Sequence, residues 1–314
     1  MLSKALFIDF KKHDIPPTYL KRLKRLLSST TFLSRDDNRL ASELKDTQLI
    51  LAKISTKIDK DIIDASPKLK YVGVLSTAFD AIDVKYAGQK KIAVCNLGGY
   101  STEAVAEFFL AALLEHFREL EKAKVQARQE DYSFDKFMGT EVKGKVLGVI
   151  GAGKIGSRIA ELGLGIGMKV LYSSRKSKPQ IEKLGAKKKL MDYILTESDV
   201  IVIALALNKE TTGIIDKNKL NLIKPGAVLV SLCPPPLLDQ EAIMQKANKG
   251  SLTYIFDHSD DMESELVRRF LKTKNVIVYP AIAFRTEQAN TTRWETFVSN
   301  IENFLKGSPT NKVS

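Results

Sequence analysis

Three glycines, at 151, 153 and 156, stand at a spacing suited to holding phosphate. Val146-Leu-Gly-Val-Ile150 reads as a strand, Gly151-Ala-Gly153-Lys-Ile-Gly156 follows it, and Ser157–Leu164 has the pattern of a helix. In such a unit the first glycine permits a tight turn, the second lets the backbone approach a pyrophosphate, and the third allows helix and strand to pack closely. The helix N-terminus adds N–H donors and the positive end of its dipole. The same spacing also serves plain βα turns. Here the preceding strand, the following helix and a second strand, Lys169-Val-Leu-Tyr-Ser173, select dinucleotide binding.

The end of that second strand reports which dinucleotide. A site selective for NAD places Asp or Glu there, to accept bonds from the ribose hydroxyls and repel a 2′-phosphate. This chain has Ser173-Ser174-Arg175-Lys176 instead, two hydroxyls followed by two cations, a set suited to charge-assisted bonds with a 2′-phosphate. The expectation is NADP(H) in preference, with NAD(H) possible. The alternative is that Arg175 and Lys176 sit on a solvated loop.

Apolar runs rich in β-formers alternate with amphipathic stretches along the chain, the pattern of parallel sheets with crossover helices. The class is α/β. Strands are expected at Ala5–Phe10, Gln48–Ile54, Tyr71–Leu75 and Ile92–Leu97, with helices such as Tyr19–Leu27 and Ile58–Ala65 between them. One long helix is expected from Ser101 to about Gln129. A second strand series follows at Val146–Ile150, Lys169–Ser173, Val200–Leu205, Ala227–Leu232, Thr253–Phe256 and Val276–Tyr279. A closing helix from Thr286 to Lys306 leads into a short polar tail expected to fray.

Length and composition agree with two globular domains. The 314 residues exceed one ordinary core, and 44% hydrophobic with 27% charged residues is usual for a folded, water-exposed chain. The opening Met1–Phe10 lacks the features of a leader and the apolar runs are strand-sized, so the chain is read as cytoplasmic, without a membrane span. Cys95 and Cys233 are expected as reduced thiols, and the three histidines (His13, His116, His258) have no metal-ligand spacing, so no metal is expected. The net charge of +12 raises the question of nucleic acid, but the lysines are scattered and clusters such as Lys187–Lys189 lie beside a loop rather than along an aromatic-lined stripe. Nucleic-acid binding is not expected.

Taken together, Val94-Cys-Asn-Leu-Gly-Gly-Tyr-Ser-Thr-Glu-Ala-Val-Ala-Glu107, the glycine loop, Glu197-Ser-Asp-Val200 and Lys224-Pro-Gly-Ala-Val-Leu-Val230 resemble the D-isomer-specific 2-hydroxyacid dehydrogenases, in particular the hydroxypyruvate/glyoxylate reductase branch. The resemblance runs along nearly the whole chain. It implies two doubly wound Rossmann-like domains: a smaller catalytic domain made from both chain ends (1–100 plus 287–314), and an NAD(P)-binding domain (101–286), with the active site in the cleft between them. It also implies a homodimer formed through the cofactor domain. Lys154 and Ile155 would offer backbone to the pyrophosphate. Leu232 and Cys233 would line the nicotinamide, and Asp257 would meet its carboxamide or ring. Ser76, Thr77 and Ala78 would form the loop that takes a substrate carboxylate.

The chemistry of the family does not carry over. Its members hold the substrate with an arginine just after the strand that here ends Val230-Ser-Leu-Cys233, and protonate the carbonyl oxygen with a histidine backed by a glutamate. At those positions this chain reads Pro234, Ala281 and Met262, with Glu263 one place further on, and Ala78 stands where a glycine is usual. His258, Tyr279 and Glu263 are the remaining candidates for proton transfer, each with a plain reading as a loop, packing or surface residue. Cys233 reads more simply as a small buried hydrophobe, and Arg293 and Trp294 as core or interface. Three function classes follow: an NADP-binding pseudoenzyme or sensor, an NADPH-dependent oxidoreductase acting on an atypical, non-carboxylate carbonyl compound, and a basic scaffold.

Overall fold

The computed structural model describes residues 3–314; the opening segment read above for a leader begins with Met1 and Leu2, which lie outside the described residues. Two compact units divide the chain: residues 1–101 with 286–314, and residues 102–285. Among the described residues no helix is long and apolar enough to cross a membrane.

The unit built from both chain ends holds a five-stranded parallel sheet of β1 (Ser3–Ile8), β2 (Leu27–Leu33), β3 (Leu49–Ala52), β4 (Tyr71–Val74) and β5 (Ala93–Cys95), in the order β2-β1-β3-β4-β5. The inner strands are buried on both faces, which is why they read as unbroken apolar runs. One apolar cluster, including Leu6, Ile50, Val72 and Val94, lies apart from a second that includes Phe7, Leu51, Tyr71 and Trp294, as the alternation of side chains along strands requires. Trp294 is a core residue of the closing helix, Glu287–Leu305.

Three expectations are corrected here. The sequence reading had no strand at Leu27–Leu33, an edge strand of polar centre that starts directly where the helix Pro17–Leu26 ends. The polar tail does not fray: Val313 N–H donates to the Val94 carbonyl, and the Ser314 hydroxyl both donates to Ile92 O and accepts from Val94 N–H, so the tail dresses the open edge of β5. The single helix expected from Ser101 to about Gln129 is two, Thr102–Phe117 and Leu120–Ala127, because Glu119 takes a left-handed φ of 52° between them.

The second unit holds a seven-stranded parallel sheet: β6 (Val146–Ile150), β7 (Lys169–Ser173), β8 (Lys187–Lys188), β9 (Val200–Ile203), β10 (Ala227–Ser231), β11 (Leu252–Phe256) and β12 (Val276–Val278). Its order, β12-β11-β10-β9-β6-β7-β8, is doubly wound, and the winding reverses between β6 and β9. Ligands of open α/β sheets bind outside the carboxyl ends of the strands at such a reversal. β8, two lysines pairing with β7, was another strand absent from the sequence reading.

Candidate dinucleotide site

The glycine loop sits at the reversal point. Gly151, just past β6, has a φ of +100°, and a Cβ on it would lie 2.6 Å from the carbonyl oxygen of Ala204, just past β9. Gly156 is in the first turn of the helix Lys154–Gly165, where a Cβ would come 2.1 Å from the Gly151 carbonyl oxygen. The protein's own packing therefore demands both glycines. Gly153 is different: it caps the helix with an ordinary φ of −76°, and a Cβ there would meet nothing within 4 Å. Nothing inside the protein requires a glycine at 153; an approaching pyrophosphate would. Gly153 supplies no side-chain cap to the helix, whose N-terminus carries the positive end of the dipole and favours an anion.

The other expected cofactor residues lie along the same edge of the sheet, because all seven strands are parallel. Ser173 ends β7, and its carbonyl accepts the Gly151 N–H at 3.0 Å, tying the second strand to the glycine loop. Beyond it, the Ser174 hydroxyl donates to the Lys176 carbonyl, and Arg175 is 93% exposed with its nearest carboxylate, Glu210, at 3.6 Å. Tyr172 braces this loop from below: its hydroxyl accepts from Lys178 N–H at 2.8 Å and donates to Glu182 at 2.6 Å. Leu232 and Cys233 follow β10 and are buried. Asp257 follows β11 and is only 3% exposed. One of its carboxylate oxygens accepts from Ala283 N–H at 3.0 Å, while the other, Oδ1, is buried with no hydrogen-bond partner. An unpaired buried acceptor at a ligand-binding edge fits a donated amide N–H, as a nicotinamide carboxamide offers. Burial pushes the Asp257 carboxyl above the usual carboxylate range.

A family model described as "D-isomer specific 2-hydroxyacid dehydrogenase, NAD binding domain" matches residues 110–283, more than half of the chain. The chain belongs to the D-isomer-specific 2-hydroxyacid dehydrogenase family. It is 30% identical over 288 residues to a glyoxylate reductase of Thermococcus litoralis, spanning 88% of this chain and 86% of that one. It is 28% identical over 289 residues to a hydroxypyruvate reductase of Blautia hydrogenotrophica, spanning 89% and 88%. Among solved structures, D-lactate dehydrogenase from Aquifex aeolicus, complexed with NAD and lactic acid, superposes with a TM-score of 0.85 at 27% identity, over 99% of this chain and all of that one. The family is one of NAD-binding oxidoreductases, and the seven-stranded unit is this member's nicotinamide-dinucleotide-binding domain.

The positions to which the sequence resemblance assigned reacting groups, Pro234, Met262 and Ala281, have the following surroundings. Pro234 opens a rigid turn, Pro235–Leu237, whose carbonyls are already engaged: Leu237 N–H bonds to Pro234 O, the Gln240 amide to Pro235 O, and Gly213 N–H to Pro236 O. From Ser231 to Leu238 the segment carries no cation. Met262 packs against the apolar cluster of Leu229, Phe256 and Phe270, and Glu263 is exposed at the start of the helix Ser264–Lys272. The half-buried Ala281 precedes Ala283, whose N–H holds Asp257.

The weaker candidates separate. Tyr279 shares a cluster with Phe108 and Ile277, while Cys233 belongs to the other cluster, on the opposite side of the sheet. The Tyr279 hydroxyl donates to Glu115 at 2.6 Å on the wall of a cavity of about 620 Å³ shared with His116 and Met138; burial, together with that bond, raises the phenol well above its ordinary range. Burial pushes the Cys233 thiol up to about 12, which makes it inert at neutral pH. His258 stands beside Asp257: its Nδ1 is 3.1 Å from Asp261 Oδ2 and its Nε2 is 3.9 Å from Asp257 Oδ1. His258, Asp260 and Asp261 also bring one ligand atom each within 4.8 Å of one another, a grouping the sequence reading missed because it compared histidines only with each other. Both aspartates are exposed and His258 is hydrogen-bonded to Asp261, which is sufficient reason for the arrangement without an ion. In the other unit, Ser76, Thr77 and Ala78 form a pinned turn: Ala78 N–H donates to the Ser76 hydroxyl, and Thr77 is bonded through its hydroxyl to Leu97 O and through its carbonyl to the Asn96 amide.

Proposed function

We propose that this family member binds NADP(H) in preference to NAD(H) and does not carry out ordinary 2-hydroxyacid dehydrogenase chemistry, acting as a nucleotide-responsive pseudoenzyme. A bound nicotinamide supplies or accepts hydride; the protein must supply a charge for the carbonyl and carboxylate and a proton for the developing alkoxide. The observation that carries the reading is the turn after β10, a run of three prolines with its carbonyls engaged where the family places a cation. Ala281 offers no proton. Loss of a general acid costs about 10²–10⁴ in rate and loss of a preorganised charge about 10²–10³, not strictly additively. The NADP preference rests on Ser173–Lys176, with no carboxylate at the end of β7.

Calorimetric titration with NADPH and NADH, followed by hydride-transfer assays on glyoxylate and hydroxypyruvate, tests both halves. Micromolar NADPH binding, weaker NADH binding and no turnover are expected. Robust reduction of hydroxypyruvate would overturn the placement of Pro234 and Ala281.

A second reading is favoured by one observation, the His258–Asp261 pair beside Asp257: an NADPH-dependent oxidoreductase for a carbonyl compound without a carboxylate, with His258 as proton donor. Turnover of a neutral carbonyl that is lost in His258→Gln would favour it. We further propose a cytoplasmic homodimer. Its support is the exposed apolar side chains concentrated between 120 and 138, among them Tyr132, Phe134 and Met138, each more than three-quarters exposed. Light scattering of the wild type and of Phe134→Asp tests the dimer.

A further inference from the structure

Three consecutive lysines, Lys187–Lys189, follow the helix Pro179–Lys183. Lys187 and Lys188 form β8, a two-residue strand at the sheet edge in register with Leu171 and Tyr172 of β7. Lysine is a poor strand former, and on an edge it usually serves to keep other strands away. Here the three do different things. The Lys189 ammonium lies over the Tyr193 ring, 5.2 Å from its centroid. Alternation along a strand sends Lys187 and Lys188 to opposite faces. The Lys188 ammonium turns onto the loop beyond β7 and donates to the Arg175 carbonyl at 3.3 Å.

We propose that Lys188 is a third cation of the 2′-phosphate site, a specificity determinant that lies 13 residues beyond Arg175 and reaches the loop across the strand pair. This rests on the NADP preference proposed above. The loop it reaches is tied by hydrogen bonds: the Ser174 hydroxyl closes onto the Lys176 carbonyl, and Tyr172 holds Lys178 from beneath while Lys189 N–H donates to Tyr172 O at 3.0 Å. Arg175 is nearly fully exposed on that loop, and Lys176 is exposed beside it. A neutral carbonyl is a weaker acceptor for an ammonium than a phosphate dianion, so the bond to Arg175 O holds Lys188 in place until a phosphate arrives to replace it. NADH, which has only a ribose hydroxyl there, gains nothing from the lysine.

The test is calorimetric titration of wild type, Lys188→Met and Lys187→Met with NADPH and NADH, backed by competition with adenosine 2′,5′-bisphosphate and AMP, which carry the adenine half alone. Lys188→Met is expected to weaken NADPH and the bisphosphate about tenfold, the range of one charge-assisted bond. It should leave NADH and AMP within about twofold, while Lys187→Met changes neither; Lys188→Arg should restore most of the preference. A Lys188→Met variant that keeps the wild-type NADPH-to-NADH ratio overturns the proposal while leaving the NADP reading intact. A wild type that prefers NADH overturns both. Unchanged melting temperatures across the variants exclude a merely structural effect, and equal weakening of both cofactors counts against the proposal.

Discussion

Gly153 and Gly156 belong to one loop but have opposite physical reasons, and substituting each with alanine separates them. At 156 the added Cβ lies 2.1 Å from the Gly151 carbonyl oxygen, a backbone atom that cannot turn aside, so the loop must shift. Overpacking of this kind costs about 1–3 kcal/mol. A unit of this size loses about 2–4 °C of melting temperature per kcal/mol, so Gly156→Ala should melt several degrees early. At 153 the Cβ meets nothing within 4 Å and φ is −76°, so alanine fits. Two small effects then oppose: the unfolded chain loses entropy, which stabilises by about 0.4–1 kcal/mol, and alanine is the poorer N-cap, which costs a similar amount of about 0.5–1 kcal/mol. The melting temperature should stay within about 4 °C of wild type. Cofactor affinity should nevertheless fall, because a methyl between the backbone and a pyrophosphate lengthens N–H···O bonds past their range of about 2.7–3.2 Å. Losing even one bond to a charged oxygen costs about 1.5–3 kcal/mol, which is tenfold or more in Kd at about 1.4 kcal/mol per decade. Thermal melting and NADPH titration of the two variants read this out. A Gly153→Ala protein that binds NADPH as tightly as wild type would refute the reasoning.

Other outcomes follow from the same site. Glu210→Gln frees Arg175 from its carboxylate at 3.6 Å; because both side chains are largely exposed, the gain should be at most a few-fold in NADPH affinity with NADH unchanged, read by the same titration. An amide N–H donated to Asp257 is held more strongly by the ionised carboxylate than by the neutral acid, and burial has raised that carboxyl's folded-state affinity for protons. Cofactor affinity should therefore be full above the folded-state pKa of Asp257 and fall as pH drops through it, at a pH above the ordinary carboxylate value of about 3.9; Asp257→Asn should flatten that part of the NADP⁺ binding profile. Burial pushes the Cys95 and Cys233 thiols up to about 11 and about 12. Neither should react with an alkylating agent in the native protein at pH 8, and both should after denaturation, as mass spectrometry of the labelled chain would show.

The strand, glycine loop and helix of the candidate site were legible because their signals are local, lying within a few residues of one another. What escaped the reading depends on contacts far apart in sequence. β2 has Ser-Ser-Thr-Thr at its centre and becomes a strand by pairing with β1. β8 is only two lysines and exists through its register with β7. The turn at Glu119 carries neither glycine nor proline to announce its left-handed backbone. The tail is polar, yet Val313 and Ser314 find partners in Val94 and Ile92. Tyr279 shares a cluster with Ile277, as the period of two along the strand requires. The carboxylate it bonds, Glu115, is 164 residues away and left no trace in the pattern.

The central claim, a cofactor site kept while the reacting groups are gone, is tested most directly by a single-turnover experiment: protein saturated with NADPH is mixed with excess hydroxypyruvate while bound-nicotinamide fluorescence and absorbance are followed together. The fluorescence of bound NADPH should persist and its absorbance should not decay within the time an ordinary family member completes many turnovers. Decay of both signals in one fast phase would contradict it, as would the absence of any bound-NADPH fluorescence before mixing.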